Sequence, residues 1–225
     1  MYTLDMKNPW LDFIHQRPFI LEKDRVVIAD FNKKTKNGAY KIQDDQPPAP
    51  FVGNRHAPIV LLNLNPGYNK EDNKFYEKKA FIKASENNLK HKKNAYPFYF
   101  LDPSLGKNSG YTWWHKKLKE LISEFKEKAV SQNILVLEYF PYHSIRFNNS
   151  KKLFSCAQEY TIFLLKEALK RKALVIIMRS KEEWYKLVPN LKKYKLHCVL
   201  KNPQNVTISP RNMPDGWFDK VKNKF

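Results

Sequence analysis

The apolar run Ile59-Val60-Leu61-Leu62 breaks abruptly into Asn63-Leu64-Asn65-Pro66-Gly67-Tyr68. The chain repeats the device at Ile134-Leu135-Val136-Leu137, which breaks into Glu138-Tyr139-Phe140-Pro141-Tyr142-His143-Ser144. A short run with no polar face suits a strand covered on both sides, although periodicity alone does not separate it from a buried helix. Proline and glycine directly behind such a run impose a sharp turn. Two further runs have the same form: Ala173–Met178, ending in Arg179 and Ser180, and Leu196–Leu200. Helical patterns lie between them, at Gly110–Val130 (Trp113, Trp114, Leu118, Leu121, Ile122, Phe125), Ser155–Lys172 and Lys181–Leu191. Strands separated by helices imply right-handed crossovers and a parallel sheet with helices on both faces. The expected fold is therefore α/β, a three-layer α/β/α arrangement around a four-stranded parallel sheet. Its strand exits converge on one edge, where open α/β sheets bind ligands.

The remaining segments fit around this frame. Residues 8–16 read as a short helix after Asn8-Pro9, and Asp24–Phe31 as a strand on Arg25-Val26-Val27-Ile28-Ala29. Pro47, Pro48 and Pro50 make Ile42–Gly53 an extended lead-in. Residues 1–56 are taken as an amino-terminal extension packed on the core, and 57–225 as the α/β domain. Glu71–Leu89 holds a weakly patterned helix, and Asp215–Phe225 a closing one. The aromatic loop Ala95–Pro103 could stack on bases, but such clusters more often pack, and packing is the favoured reading.

Charge narrows the function classes. Lys plus Arg number 41 against 22 Asp plus Glu, a formal net charge of +19. That excess predicts attraction to polyanions, nucleic acid first; the competing reading is a lysine excess spread thinly over the surface. The lysines of the Gly110–Val130 helix are most simply a solvated face. A hydrophobic fraction of 42% excludes a solvated tail. Cys156 and Cys198 show no CxxC spacing, which argues against a disulfide framework or an iron–sulfur centre. Met1–Trp10 lacks the pattern of a signal peptide and no run is long enough to span a bilayer, so a monomeric cytoplasmic protein with no membrane partner is expected. Gly-x-Gly-x-x-Gly, a P-loop lysine, Gly-x-Ser-x-Gly and metal-spaced histidine pairs are all missing, so no cofactor and no metal are expected.

Four strand exits supply the candidate site. They carry Asn63, Asn65, Gly67 and Tyr68; Glu138, Tyr142 and His143; Arg179; and Ser209, Pro210, Arg211 and Asn212. Glu138 within an apolar strand needs a partner. Arg179 is the candidate, in a pairing that is either structural or catalytic. A lone histidine such as His143 is more often structural than functional.

Asn63-Leu64-Asn65-Pro66-Gly67 resembles the Gly-x-Asn-Pro-Gly/Ser motif of the uracil-DNA glycosylase superfamily, nearest to its mismatch-specific and single-strand-selective branches. Ser209-Pro210-Arg211-Asn212 resembles the Ser-Pro-Arg-Asn part of the second motif of the single-strand-selective branch. The order is similar too, the first motif following the first core strand and the second the last. Leu64-Asn65-Pro66-Gly67 and Tyr139-Phe140-Pro141-Tyr142-His143-Ser144 also resemble a group of uncharacterised bacterial proteins related to that superfamily. The resemblance implies a uracil-DNA-glycosylase-like fold in which Asn65 orients the water that attacks the sugar. It implies that the Ser209–Asn212 loop grips the DNA backbone and that the target base is flipped into the pocket. An amide is a poor general base, so such a reaction relies on stabilising the departing base and the cationic sugar. The departures are specific. Asn63 stands at the motif's first glycine, Thr207 at the histidine that stabilises the leaving base, and Ile208 at the proline after it; His143 is the candidate substitute.

The expectation is a nucleic-acid-binding protein, DNA in the first instance, that excises a deaminated or modified base by metal-independent hydrolysis. Asn65 and His143 would be catalytic, with Asn63, Gly67, Tyr68, Glu138, Tyr142 and Arg179 at the substrate. The rival is a non-catalytic nucleic-acid-binding or interaction protein that retains the fold.

Overall fold

The computed structural model describes residues 6–147 and 155–225; residues 1–5 of the amino-terminal reading lie outside it. The strands are β1 (Phe51–Gly53), β2 (Ile59–Asn63), β3 (Ile134–Glu138), β4 (Leu174–Ile177) and β5 (His197–Val199). They form one sheet in the order β1-β3-β2-β4-β5. In register, Ile59 of β2 lies beside Ile134 of β3 and Leu174 of β4, and Val175 beside His197 of β5, all in parallel. β1 runs antiparallel on β3, with Phe51 opposite Leu137. The sheet is thus five-stranded and mixed rather than four-stranded and parallel.

Strand alternation sends each apolar run into two cores. Val60, Leu62, Leu135, Leu137, Val175 and Ile177 face one. Ile59, Leu61, Ile134, Val136, Leu174 and Ile176 face the other. Each such side chain stabilises the fold by about 1.5–3 kcal/mol when fully buried. The first core is covered by α1 (Arg25–Lys34), α6 (Cys156–Lys170) and α7 (Lys181–Leu187), through Ile28, Phe31, Leu164, Leu165 and Trp184. α3 (Lys79–Leu89), α4 (Ser109–Lys117), α5 (Lys119–Asn133) and α8 (Trp217–Lys222) cover the second, through Phe81, Trp114, Leu121 and Phe218. The aromatic loop packs here as well, with Phe98, Tyr99 and Leu101 buried. Ser155 caps the start of α6, and its N–H donates to Gln158 Oε1 at 3.0 Å.

Several local expectations are corrected. Arg25–Lys34 is helical, not a strand. Its β-branched run buries only Ile28 and Phe31, a helical spacing, while Val26 stays 79% exposed. Residues 8–16 form turns instead of a helix: Asn8 uses its side chain on the Trp10 N–H (3.0 Å) and on the Leu89 carbonyl (2.8 Å), which competes with helix formation. Gly110–Val130 is two helices that part at Leu118, with Lys126 at φ 68 inside the second. Glu71–Leu89 divides into α2 (Asn73–Tyr76) and α3. The stretch up to residue 56 supplies edge strand β1 and buries Trp10, Phe13 and Phe19 in the first core. Gly53 sits at φ +119, and a Cβ there would lie 2.2 Å from the Ile134 carbonyl oxygen, so β1 approaches β3 only with glycine at that place.

Candidate functional site

β2, β3 and β4 end side by side, and their exits open into a cavity of about 620 Å³. Register puts Asn63, the last residue of β2, directly beside Glu138, the last of β3. Both are buried, and Asn63 Nδ2 donates to Glu138 Oε1 at 3.1 Å. Asn63 Oδ1 and Glu138 Oε2 are also buried and have no partner. Burial pushes the Glu138 pKa up to about 8, against the Asn63 hydrogen bond and the Arg179 charge, which pull it down. The raised pKa favours the protonated carboxyl at neutral pH, a form with a hydroxyl donor as well as an acceptor.

Arg179 follows β4 and lines the same cavity, with its Nε unpartnered. Among the described residues it makes no ion pair with Glu138; Asn63 is the partner instead. The parallel register forces this choice, because Asn63 is the cross-strand neighbour, whereas Arg179 stands beyond the end of β4.

Asn65 lies on the β2 exit. Its Nδ2 donates to Ser144 Oγ at 2.9 Å and to the Pro66 carbonyl at 3.0 Å. This holds the amide in one orientation and leaves Oδ1 without a partner among the described residues. Gly67 is exposed, and a Cβ there would meet nothing within 4 Å, so its bareness only keeps the cavity mouth open. The Tyr68 hydroxyl donates to Asp45 Oδ2 at 2.9 Å; burial first and Asp45 second push its pKa up to about 12.

His143 is 3% exposed, and both ring nitrogens face carbonyls, Nδ1 that of Gly67 at 2.7 Å and Nε2 that of Pro47 at 2.9 Å. Burial lowers its pKa, against those carbonyls, Asp45 and Asp72. A neutral ring donates to one of the two. The histidine ties the β3 exit to the Pro66-Gly67 turn, so it lines the cavity as a positioning residue with no nitrogen to spare.

Two expectations fall outside the cavity. The Tyr142 hydroxyl points the other way, donating to Asp24 Oδ2 at 2.7 Å. Ser209, Pro210, Arg211 and Asn212 do not line the cavity either. The Asn212 amide organises its own loop, donating to the Asn205 and Thr207 carbonyls at 2.8 and 3.0 Å and accepting from the Asn202 N–H at 2.8 Å. Arg211 is exposed beside it.

Other lining residues were hidden in the helical pattern. Trp113 and Trp114 of α4, with Tyr76 and Phe100, form an aromatic wall. Gly110 lines the wall too, where a Cβ would lie 2.6 Å from the Phe100 ring. Lys117, expected on a solvated face, is 7% exposed; its ammonium stands over the Trp113 ring and donates to Asn205 Oδ1 at 3.0 Å. Burial, then Lys116 and Arg179, lowers its pKa, which places the Arg179 charge within reach of α4. The Ser109 hydroxyl and N–H both donate to Asp72 across the rim. Past Asp72, Ser109 and Trp113 the cavity continues into an open groove of about 560 Å³ that carries Lys74, Phe75, Lys107 and Lys116.

Among the described residues no group of three His, Cys, Asp or Glu side chains is placed to hold a metal ion, and no helix is long and apolar enough to cross a membrane. Comparison with known proteins returns no matching family model, no matching curated protein and no matching solved structure.

Proposed function

We propose that this chain binds nucleic acid, takes one base turned out of its strand into the cavity at the β2, β3 and β4 exits, and hydrolyses that base's N-glycosidic bond. The observation that carries the reading is the buried Asn63–Glu138 pair, whose remaining oxygens are buried and unpartnered beside a cavity walled by aromatic rings. A polar floor under rings is what reading and stacking an extruded base requires. The volume, about 620 Å³, is in the usual range for a small-molecule site. The adjoining groove suits the strand: Lys74, Lys107 and Lys116 form no ion pair among the described residues. The Lys78 ammonium lies 4.5 Å from the centroid of the half-buried Phe75 ring beside them, adding a further cation to the groove.

In this reading Asn65 Oδ1 accepts a hydrogen bond from the attacking water. The water oxygen bonds to the sugar C1′ as the C1′–N bond breaks, and the departing base takes the Glu138 proton. The proton released by the water then restores the carboxyl. Glu138 thus supplies the acid that Thr207, outside the cavity and donating to Asn205 Oδ1 at 3.1 Å, does not. The positions of Asn65-Pro66-Gly67 after the central strand and of Ser209–Asn212 after the last support a uracil-DNA-glycosylase-like arrangement as part of the same proposal. A second reading, a base-reading binder without chemistry, is favoured by His143, which has no free nitrogen to offer a leaving base.

The deciding assay incubates the protein with labelled single- and double-stranded DNA carrying uracil, hypoxanthine or a mismatched thymine, followed by alkali. Breaks at the marked base that vanish in Asn65→Ala and Glu138→Gln support hydrolysis. Base-dependent binding without breaks supports the binder. Neither breaks nor binding would end both readings.

A further inference from the structure

A second cavity, of about 250 Å³, opens at the other end of β2 and is lined by Arg55, His56, His91, Lys92 and Lys93. Its lining contains no aspartate or glutamate. Arg55 and His56 come from the turn between β1 and β2, and the other three follow the end of α3. Chain segments distant in sequence are therefore held together with like charges facing one another.

The walls are firmly built. The Asn88 side chain, buried at the end of α3, accepts from the Gly53 N–H at 3.0 Å and donates to the Phe51 carbonyl at 2.8 Å, which fixes α3 to β1. His91 stacks on Phe51 with centroids 4.8 Å apart, and its Nε2 meets the Tyr160 hydroxyl at 2.9 Å. Behind the cavity and outside its lining, Arg171 at the end of α6 donates to the Ala57 carbonyl at 3.2 Å and adds a further positive charge close to His56. Helix C-termini favour nearby cations, which accounts for Arg171. It does not account for Arg55 and His56, which lie at no helix end, and Arg55, Lys92 and Lys93 form no ion pair among the described residues.

We propose that this cavity binds a phosphate group, with Arg55 as its bidentate donor and Lys92 and Lys93 as its flanking charges. Guanidinium forks match phosphate oxygens, and an anion here would relieve the repulsion among the cations. The size also suits a phosphate better than a nucleoside, since small-molecule pockets begin at about 300 Å³. Both histidines are shifted mainly by burial and secondarily by these charges. Burial, then Arg55 and Arg171, lowers the His56 pKa; burial, then Arg55 and His56, lowers that of His91 to about 4. Tyr160 faces His91, and Glu167 and Tyr194 act on Arg171. The phosphate belongs either to a nucleic-acid strand or to a free phosphate compound. The site lies apart from the candidate active site and does not rest on its chemistry.

The test follows the His56 and His91 ring resonances by NMR across pH, in inorganic phosphate, in a single-stranded oligothymidylate, and in chloride at matched ionic strength. Bound phosphate should raise both pKa values beyond the chloride control. Arg55→Gln should weaken binding about tenfold or more, the loss of a charge-assisted contact, and leave activity at the first cavity unchanged. Saturation by the oligonucleotide well below the concentration of free phosphate required identifies a strand; the reverse identifies a free phosphate compound. Identical responses to phosphate, oligonucleotide and chloride, or an Arg55→Gln protein that binds as well as the parent, would overturn the proposal.

Discussion

Asn63 and Glu138 end neighbouring parallel strands and meet side chain to side chain, the amide donating to the carboxyl at 3.1 Å in a site closed to bulk water. The carboxyl has a second oxygen with no partner, and desolvation holds its pKa at about 8. The strand register therefore places a protonated acid on the floor of the cavity at neutral pH.

Glu138 makes activity and stability depend on pH in the same direction. The acid role proposed for it requires the protonated form, so the rate should be level below pH about 8 and fall about tenfold per unit above it. Glu138→Gln should lower the rate by about 10²-fold or more. A folded pKa above the unfolded one means that the native state binds the extra proton. Its stabilising effect is complete below the unfolded pKa and is lost as pH rises through about 8. Between about pH 5 and about pH 9, wild type should therefore lose more stability than Glu138→Gln, as measured by urea denaturation. Equal losses would show that the carboxyl is not held protonated.

Asn65→Ala should separate chemistry from folding. Removing the amide proposed to orient water should cost roughly 10²-fold in rate. Loss of the bonds to Ser144 and Pro66 should cost only about 1–2 kcal/mol of stability. An undiminished rate in the purified variant would take the amide out of the reaction.

Gly67 tests the cavity mouth. With no neighbour for a Cβ within 4 Å, Gly67→Ala should change stability by less than about 0.5 kcal/mol. Gly67→Trp should fold equally well and yet weaken nucleic-acid binding by obstructing the opening. Full binding by the tryptophan variant would show that the strand does not pass there.

Lys107 and Lys116 test the path of the strand. Each Lys→Ala change should reduce the slope of log K against log salt by about 1 and leave base preference unaltered. Arg211→Ala probes the alternative path over the Ser209–Asn212 loop. A slope that responds to Arg211 and ignores both lysines would move the strand to that loop.

Part of this site was legible in the chain because the information is local. An apolar run followed by Asn-Pro-Gly or Phe-Pro-Tyr marks a strand exit, and parallel exits must share an edge, so Asn63, Asn65, Gly67, Tyr68, Glu138, His143 and Arg179 line one cavity. Tyr142 was misplaced because adjacent residues of an irregular exit can point oppositely, and its hydroxyl serves Asp24 instead. Trp113 and Trp114 are hidden because a helical stripe identifies a buried face without saying whether that face meets a core or a cavity. The Arg25–Lys34 helix was obscured by β-branched residues, whose weak strand preference yields to tertiary packing.

Local sequence carries β2 to β5 and the helices between them, the apolar content of both cores, the excess positive charge and the residues at each strand exit. These depend on composition and on spacings of a few residues. Packing between distant segments sets that Glu138 meets Asn63 and not Arg179, that Ser209–Asn212 lie off the cavity, and that Arg55 and His91 converge around another. Those outcomes depend on register and on which loops cross which end of the sheet. Free energies of that kind come from contacts between segments far apart in the chain, so no local pattern carries them.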